Sequence, residues 1–354
     1  MLLSAVLPNF NHSKWLPRSV NALLSQSMPP SEIIIVDDAS TDDSISVIEK
    51  IAENHPSIRL IRHPQNRGTV ATTITGLAAA RGEFVCFPAA DDFVLPSFVE
   101  RAVTALQAHP EAALFCGGVV MIDPDDRIVG FRPFTEPSRT ARYISPDDVR
   151  KMILTSDNWI VGPTVAYRRE RLLAAGGFDP QLASFADGLV VRNLALLHGF
   201  CFDPDILAGC MVYPQSFSAG VALSASKNEA LIKVARERAV QILPEDIRET
   251  YSELLARRLR FAASRLSLVF DPTKPGSDGA TNVFGGNATD RSMLQLLARI
   301  PFVNRVAMLG WMFLRSRPFG IWSVVSSWLS HQQRDPARKA AIERHLAATR
   351  SAAN

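Results

Sequence analysis

The sequence predicts an α/β chain: a mostly parallel sheet flanked by helices, followed by a C-terminal helical region. Three observations lead there. Short apolar runs alternate with helix-period segments from Leu2 to Leu95, the pattern of right-handed βαβ units. One of those runs, Phe84-Val85-Cys86-Phe87, has no polar interruption, as suits a central strand covered on both faces. After about Ser224 the strand signals stop, and apolar-periodic helices rich in Arg and Glu take over.

Leu2 to Leu7 reads as the first strand, ended by Pro8-Asn9-Phe10-Asn11. Ser13 is placed to cap a helix to about Ser27, with Leu16, Val20, Leu23 and Leu24 along one face and Pro17 in the tolerant first turn. Glu32 to Val36 is the second strand and ends in Asp37-Asp38-Ala39-Ser40. The next helix carries Ile45, Ile48 and Ile51 on one face and stops before Pro56. Ser57 to Arg62 is a third strand, His63 to Gly68 a loop, and Thr69 to Ala80 a helix of small residues.

Beyond Pro96 the alternation loosens. A helix to about His109 precedes a long apolar strand, Ala112 to Ile122. A turn at Asp123 to Asp126 then gives a hairpin partner, Ile128 to Phe134. Pro137 to Ser145 reads as loop, Pro146 to Thr155 as helix and Pro163 to Tyr167 as strand. A short helix ends at Gly176-Gly177, and another spans roughly Ala186 to Leu197, with Gly199 closing it. Ile206 to Tyr213 is a last strand.

The organisation expected is 1–223 for the α/β part, split into 1–95 and 96–223, then 224–354 for the helices. Residues 271–290, rich in Gly, Pro and Asn, form the best linker candidate. Segment 292–330 carries Trp311, Trp322 and Trp328 among aliphatic residues and arginines. Two readings stay open there: helices packed on the rest of the chain or on a second copy, as in a homo-oligomer, or a peripheral contact in a membrane interface.

Composition excludes several classes. Net charge is only +3, from 38 basic and 35 acidic side chains, so no global field argues for nucleic acid. Cys86, Cys116, Cys201 and Cys210 form no Cys-x-x-Cys pair and sit in apolar surroundings, so reduced thiols are expected and zinc is not. The N-terminus lacks the basic flank and apolar length of a signal peptide, and no stretch suits a transmembrane helix. The expectation is a cytoplasmic protein, peripheral at most at the inner face of the membrane.

The stretch everything else frames is Glu83 to Pro96. It delivers two adjacent carboxylates, Asp91 and Asp92, to the carboxyl end of a central strand, where open α/β sheets bind ligands. Such a pair can make a turn and cap the helix near Pro96. It can equally hold Mg²⁺ or Mn²⁺ against a substrate's phosphates.

Five segments taken together carry a resemblance: Pro8-Asn9-Phe10-Asn11, Val36-Asp37-Asp38-Ala39-Ser40, Asn66-Arg67-Gly68, Ala80-Arg81-Gly82-Glu83 and Ala90-Asp91-Asp92. In order and spacing they resemble the nucleotide-sugar-binding half of family-2 glycosyltransferases, which have the GT-A fold. Gly176-Gly177-Phe178-Asp179 and Ala186-Asp187 extend the similarity into the acceptor half, to about residue 218.

The resemblance implies roles residue by residue. Asp38 would accept a hydrogen bond from a nucleotide base, Asp37 would hold that loop, and Pro8, Asn9 and Asn11 would line the base and ribose pocket. Arg67 would lie near the base or diphosphate, against the plainer reading of a solvated loop arginine, and Ala90 would flank the donor. Asp91 would bind a divalent ion bridging the diphosphate, with Asp92 supporting it. Asp187 would be the general base; the plainer reading is a helix N-terminal charge favoured by the dipole. Asn158 and Trp159 are candidates for the acceptor side, Trp159 equally for the core.

Three departures stand beside this. The first carboxylate of the family's Asp-x-Asp motif falls at Ala89, its Glu-Asp pair becomes Ala186-Asp187, and an Arg-Asn pair falls at Thr73-Ile74. The function implied is metal-dependent inverting transfer of a sugar from a nucleotide diphosphate donor to a hydroxyl of a saccharide or lipid-linked acceptor. The Ala- and Arg-rich composition associates it with bacterial surface polysaccharide synthesis. The rival is an inactive nucleotide-sugar-binding or scaffold homologue, which binds without turnover. A nucleotidyltransferase or a dinucleotide-dependent dehydrogenase needs a Gly-rich phosphate loop after the first strand, and Pro8 to Lys14 supplies none.

Overall fold

The computed structural model describes residues 2–157, 159–213, 216, 220, 224–270, 284, 287–300 and 304–353. Four strands, β1 (Leu3–Asn9), β2 (Glu32–Asp37), β3 (Ile58–Arg62) and β4 (Phe84–Cys86), form a parallel half-sheet in the order β3-β2-β1-β4. Their connections are helices α1 (Leu16–Leu24), α2 (Ser44–Ala52) and α3 (Thr69–Ala79). Alternate residues of each strand go to opposite sides, and both sides are buried. Ala5, Leu7, Ile33, Ile35, Phe84 and Cys86 meet the α1–α2 layer, whereas Val6, Ile34, Val36 and Val85 meet α3.

The second half of the sheet is mixed. After β5 (Phe93–Val94) and α4 (Phe98–Ala108) come β6 (Leu114–Ile122), β7 (Ile128–Arg132), β8 (Arg142–Ile144) and α5 (Pro146–Thr155). Then follow β9 (Ala166–Arg168), α6 (Arg169–Ala174), α7 (Ala186–His198) and β10 (Phe200–Met211). β9 runs antiparallel between β4 and β6, β10 lies parallel to β6, and β5 closes the edge antiparallel to β10. The β6–β7 hairpin stands where the sequence places it.

Three local expectations are corrected. α1 begins at Leu16, after a turn in which the N–H groups of Trp15 and Leu16 both donate to His12 O; Ser13 does not cap it but donates its N–H to Asp42 Oδ2 at 3.0 Å. Within the presumed loop 137–145, Arg142–Ile144 pairs with β10 as a short edge strand. β10 itself starts at Phe200 rather than Ile206, with a register irregularity between Asp203 and Ala208 around Pro204.

The remaining helices are α8 (Ala225–Ile242), α9 (Glu245–Phe270), α10 (Ala288–Ala298), α11 (Asn304–Ser316) and α12 (Ile321–Ala353). Ala235, Ala239, Leu243, Ile247, Tyr251 and Leu255 of α8 and α9 join the core under α3 and α7. Most of the linker candidate, and most of the loop from Gln215 to Ser224, lies outside the described residues. At the linker's far end Asn287 and Asp290 form a reciprocal capping box that starts α10. Among the described residues no helix is long and apolar enough to cross a membrane.

Candidate active site

β1 and β2 end side by side, with Asn9 opposite Asp37. Asn9 Nδ2 donates to Asp37 Oδ2 at 2.7 Å and to Ser40 Oγ at 3.2 Å, and Ser40 returns its own N–H and hydroxyl to the Asp37 carboxylate. Asn11 and Ala39 both take left-handed backbone, φ 57° and 61°. Asn11 is suited to that, and its Oδ1 accepts the Thr41 N–H at 2.8 Å. The two loops are thereby locked together, with Pro8 half-buried at the strand end.

Asp38 is buried and points the other way. His63 Nδ1 donates to its Oδ1 at 2.6 Å, and the N–H groups of Arg67 and Gly68 reach its oxygens at 2.7 to 3.0 Å. Burial opposes its charge most strongly, but these hydrogen bonds outweigh it and hold the carboxyl below the ordinary range. Asp38 therefore fixes the loop 63–68. The Arg67 guanidinium on that loop is exposed.

β4 ends at Cys86, and the chain turns at Pro88. Ser19 Oγ and the Asp92 N–H both hold Ala89 O, at 3.1 Å each, and Ala90 is fully buried in the α1–α4 core. Asp92 is buried, and its Oδ1 accepts the Met211 N–H at 2.8 Å. Burial first, and the neighbouring Asp91 second, push its carboxyl well above the usual range. Asp91 is half-buried; Tyr213 donates its hydroxyl to Asp91 Oδ2 at 2.8 Å and stacks on Trp15 with centroids 5.7 Å apart.

This pair fits a hard dication. The other Asp91 oxygen has no hydrogen bond among the described residues, and two adjacent carboxylates repel in a way that a cation relieves. No group of three or more His, Cys, Asp or Glu side chains converges among the described residues. A dication here would take one or two carboxylates and fill the rest of its shell with water and phosphate, as Mg²⁺ and Mn²⁺ commonly do at phosphate-bearing substrates.

Asp187 reaches the same end of the sheet by a different route. Because β9 is antiparallel to β4, with Cys86 opposite Ala166, the residues entering β9 sit beside those leaving β4. A 3-10 turn, Gly162–Thr164, occupies that entrance, and a Cβ on Gly162 would stand 3.3 Å from Asp187 Oδ2. Asp187 lies in the first turn of α7. Its side chain is open to solvent while protein surrounds it closely; that burial raises its pKa, opposed by the Gly188 N–H and by Arg192.

The Gly-Gly-Phe-Asp segment supports this placement. Gly176 and Gly177, φ 88° and 67°, end α6, and Phe178 sits edge-on to Phe87 at 5.0 Å and Tyr167 at 6.1 Å. Asp179 accepts Gln181 N–H at 2.9 Å and pairs with Arg238 of α8 at 2.6 Å. Both motif halves therefore serve architecture.

Beneath α7 lies a buried polar knot that sequence reasoning missed. Arg192 donates through Nε to both oxygens of Asp157, at 2.8 and 2.9 Å, and through a terminal nitrogen to Gly188 O at 2.6 Å. Tyr251 and Arg258 of α9 also donate to Asp157 Oδ2, at 2.5 and 3.4 Å. His63 and Tyr213, the partners of Asp38 and Asp91, were missed as well. None has a local signal, since each pair joins residues far apart in the chain. Trp159 is fully buried, stacked 4.3 Å from Phe200, and so belongs to the core; Asn158 lies outside the described residues.

Comparisons with known proteins agree with this architecture. The chain is 29% identical over 246 residues to an uncharacterized glycosyltransferase from Nostoc sp., covering 69% of this chain and 74% of that one. Among solved structures, it resembles residues 1–349 of Staphylococcus aureus TarS in complex with UDP-GlcNAc, with TM-score 0.60 at 17% identity, covering 90% of this chain and 91% of that one. Full-length TarS is a poly(ribitol-phosphate) β-N-acetylglucosaminyltransferase, of which the chain spans 45%. The mannosyltransferase PcManGT from Pyrobaculum calidifontis, in complex with GDP-Man and Mn²⁺, gives TM-score 0.53 at 18% identity, covering 89% and 85%. The fold is thus GT-A, with a mostly parallel central sheet flanked by helices. Residues 4–172, a little under half of the chain, match the profile of glycosyl transferase family 2, and over that segment the chain is similar to that family.

Proposed function

We propose that the protein is an inverting glycosyltransferase. It takes a sugar from a nucleotide diphosphate and gives it to a hydroxyl of a saccharide or lipid-linked acceptor. The observation that supports this reading is the β4–β9 pairing, which sets the chain leaving β4 toward Asp91 beside the Gly162 turn that lies against Asp187. The family-2 profile match over residues 4–172 and the nucleotide sugars bound by the structural neighbours support it.

In this reading residues 1–95 form the donor half, 96–223 the acceptor half and 224–354 the helical support. Pro8, Asn9, Asn11 and Asp37 frame the base and ribose pocket. Asp38 shapes it by holding the Arg67 loop, and its own oxygens are already engaged by that loop. Asp91, backed by Asp92, would hold Mn²⁺ or Mg²⁺, which when bound neutralises charge on the departing diphosphate. Asp187 takes the proton from the acceptor hydroxyl. The freed oxygen bonds to the anomeric carbon as the carbon–oxygen bond to the diphosphate breaks, and the configuration inverts. A carboxyl lifted by its surroundings is a stronger proton acceptor than an ordinary one, which suits that task.

Calorimetric titration of UDP, GDP, CDP and dTDP, with Mn²⁺ and then with EDTA, tests the donor site. Binding of one nucleotide that requires the ion is expected. If none binds to folded protein, the donor reading is lost. Binding without any turnover on a panel of acceptors would favour the inactive homologue suggested by Ala89 and Ala186.

A further inference from the structure

Helix α12 is amphipathic in the reverse of the usual sense. The side it turns to the protein is polar over its first half. His331 Nε2 donates to Phe134 O at 2.9 Å, its ring stacks on Phe134 at 5.4 Å, and Arg338 pairs with Glu136 at 2.7 Å. The opposite side of its first turns is apolar and faces solvent. Ile321 is 58% exposed, Trp322 81%, Trp328 54% and Leu329 51%, with Val325 between them. At 3.6 residues per turn these five side chains share roughly one third of the helix circumference. A surface helix ordinarily turns such a stripe inward.

A second observation concerns charge. Between Arg291 and Arg334 there is no Asp or Glu; Arg299, Arg305 and Arg317 are exposed, while Arg315 pairs with Asp290 at 2.7 Å. α11 adds Val306 and Leu314 to the exposed apolar surface. A contiguous apolar face bearing two tryptophans, set in a basic and acid-free segment, matches one chemistry well. Indole rings settle at a headgroup layer, and arginines are drawn to anionic headgroups. A second copy of the same face brings like charges together, so charge complementarity argues against self-association.

We propose that this face of α12, together with the exposed Arg299, Arg305 and Arg317 of the segment before it, seats the protein on an anionic lipid surface. It lies on the surface and does not span it, in keeping with the length and composition of the described helices. The inference is independent of the catalytic reading, since it uses none of the site residues.

The test is sedimentation of the purified chain with vesicles of phosphatidylcholine alone and of phosphatidylcholine mixed with phosphatidylglycerol, at low and high salt. Binding only to the anionic vesicles, weakened by salt, is expected. The double variant Trp322→Ser, Trp328→Ser should lose about tenfold or more in partitioning, because it removes the two largest apolar side chains that would leave water on binding. Both residues are exposed, so the fold, checked by circular dichroism, should be unchanged. Failure to bind anionic vesicles, or equal binding by the variant, overturns the proposal. A concentration-dependent dimer abolished by the same substitutions overturns it too, and assigns the face to a second copy.

Discussion

Arg192 grips Asp157 along its edge, one Nε shared between two carboxylate oxygens at 2.8 and 2.9 Å, and both groups are almost wholly buried. Arg192 also stands one turn beyond Asp187 on the same helix, and its charge opposes the rise in the Asp187 pKa. The knot therefore holds α7 against α9 and tunes the proposed base. Among the described residues, removing Arg192 leaves the buried Asp157 carboxylate balanced only by the longer Arg258 contact at 3.4 Å. Arg192→Gln is expected to destabilise the fold by about 3–5 kcal/mol, read by urea denaturation. Tyr251→Phe, which leaves the ion pair intact, should cost only about 1–3 kcal/mol.

The same geometry predicts a pH profile. Asp187 accepts a proton only when ionised, and its pKa is raised from the ordinary value of 3.8. Turnover should therefore rise with pH along an acid limb lying above the normal carboxylate range. Milder than the Gln exchange, Arg192→Lys keeps the charge and should leave that limb nearly in place. Asp187→Asn should remove the limb and lower turnover by about 10²–10⁴-fold while nucleotide affinity is kept. Unchanged turnover in Asp187→Asn would remove the assignment.

Gly162 offers a gentler perturbation. A methyl group there meets Asp187 Oδ2 at 3.3 Å, close enough to displace the carboxylate by a few tenths of an ångström. Gly162→Ala should reduce kcat several-fold with little change in melting temperature, since reacting groups tolerate misplacement poorly. Equal losses of stability and rate would instead mark a structural effect.

Binding of the dication should release protons. The Asp92 carboxyl is pushed up by burial and by Asp91, so below that raised pKa it carries a proton in the free protein. A cation at Asp91 favours the ionised form. Titrating Mn²⁺ with nucleotide in buffers of differing ionisation enthalpy should show a net proton release that Asp92→Asn abolishes. Asp91→Ala should abolish the metal-dependent part of nucleotide affinity.

Asp38 makes the opposite pH statement. Its folded pKa is depressed, so the stability it contributes is present above the unfolded value of 3.8 and is lost as pH falls through the lower folded value. Asp38→Asn should flatten the acid end of the stability curve in that window and loosen the loop 63–68, seen as faster amide exchange at Arg67 and Gly68.

What the sequence made legible was whatever local pattern governs. The parallel half-sheet follows from apolar runs spaced by helix-period segments, and Asp91 and Asp92 could be placed at a strand end because Phe84 to Phe87 is an unmistakable buried run. The partners of the site residues were not legible. Nothing near Asp38 announces His63, nothing near Asp91 announces Tyr213, and Asp157 reads as an ordinary loop acid until Arg192, Tyr251 and Arg258 close on it. β8 was missed because Arg142-Tyr143-Ile144 becomes a strand only by pairing with β10. Ser13 had the chemistry of a cap, but the helix starts only at Leu16, so its hydroxyl does not meet the first-turn N–H groups.

The far end of α12 has a bearing on how the chain assembles during synthesis. Ile342 and Leu346 pack against Phe93, Leu95, Val120, Ile122 and Met211, the apolar edge beside Asp92. Those five side chains leave the ribosome long before their cover does. Between the emergence of Met211 and that of Ile342 the nascent protein therefore carries an open, sticky flank, one that invites chaperone capture. Nascent chains stalled before Ile342 should remain cleavable by protease around Phe93 to Leu95, and chains extended past Leu346 should not be.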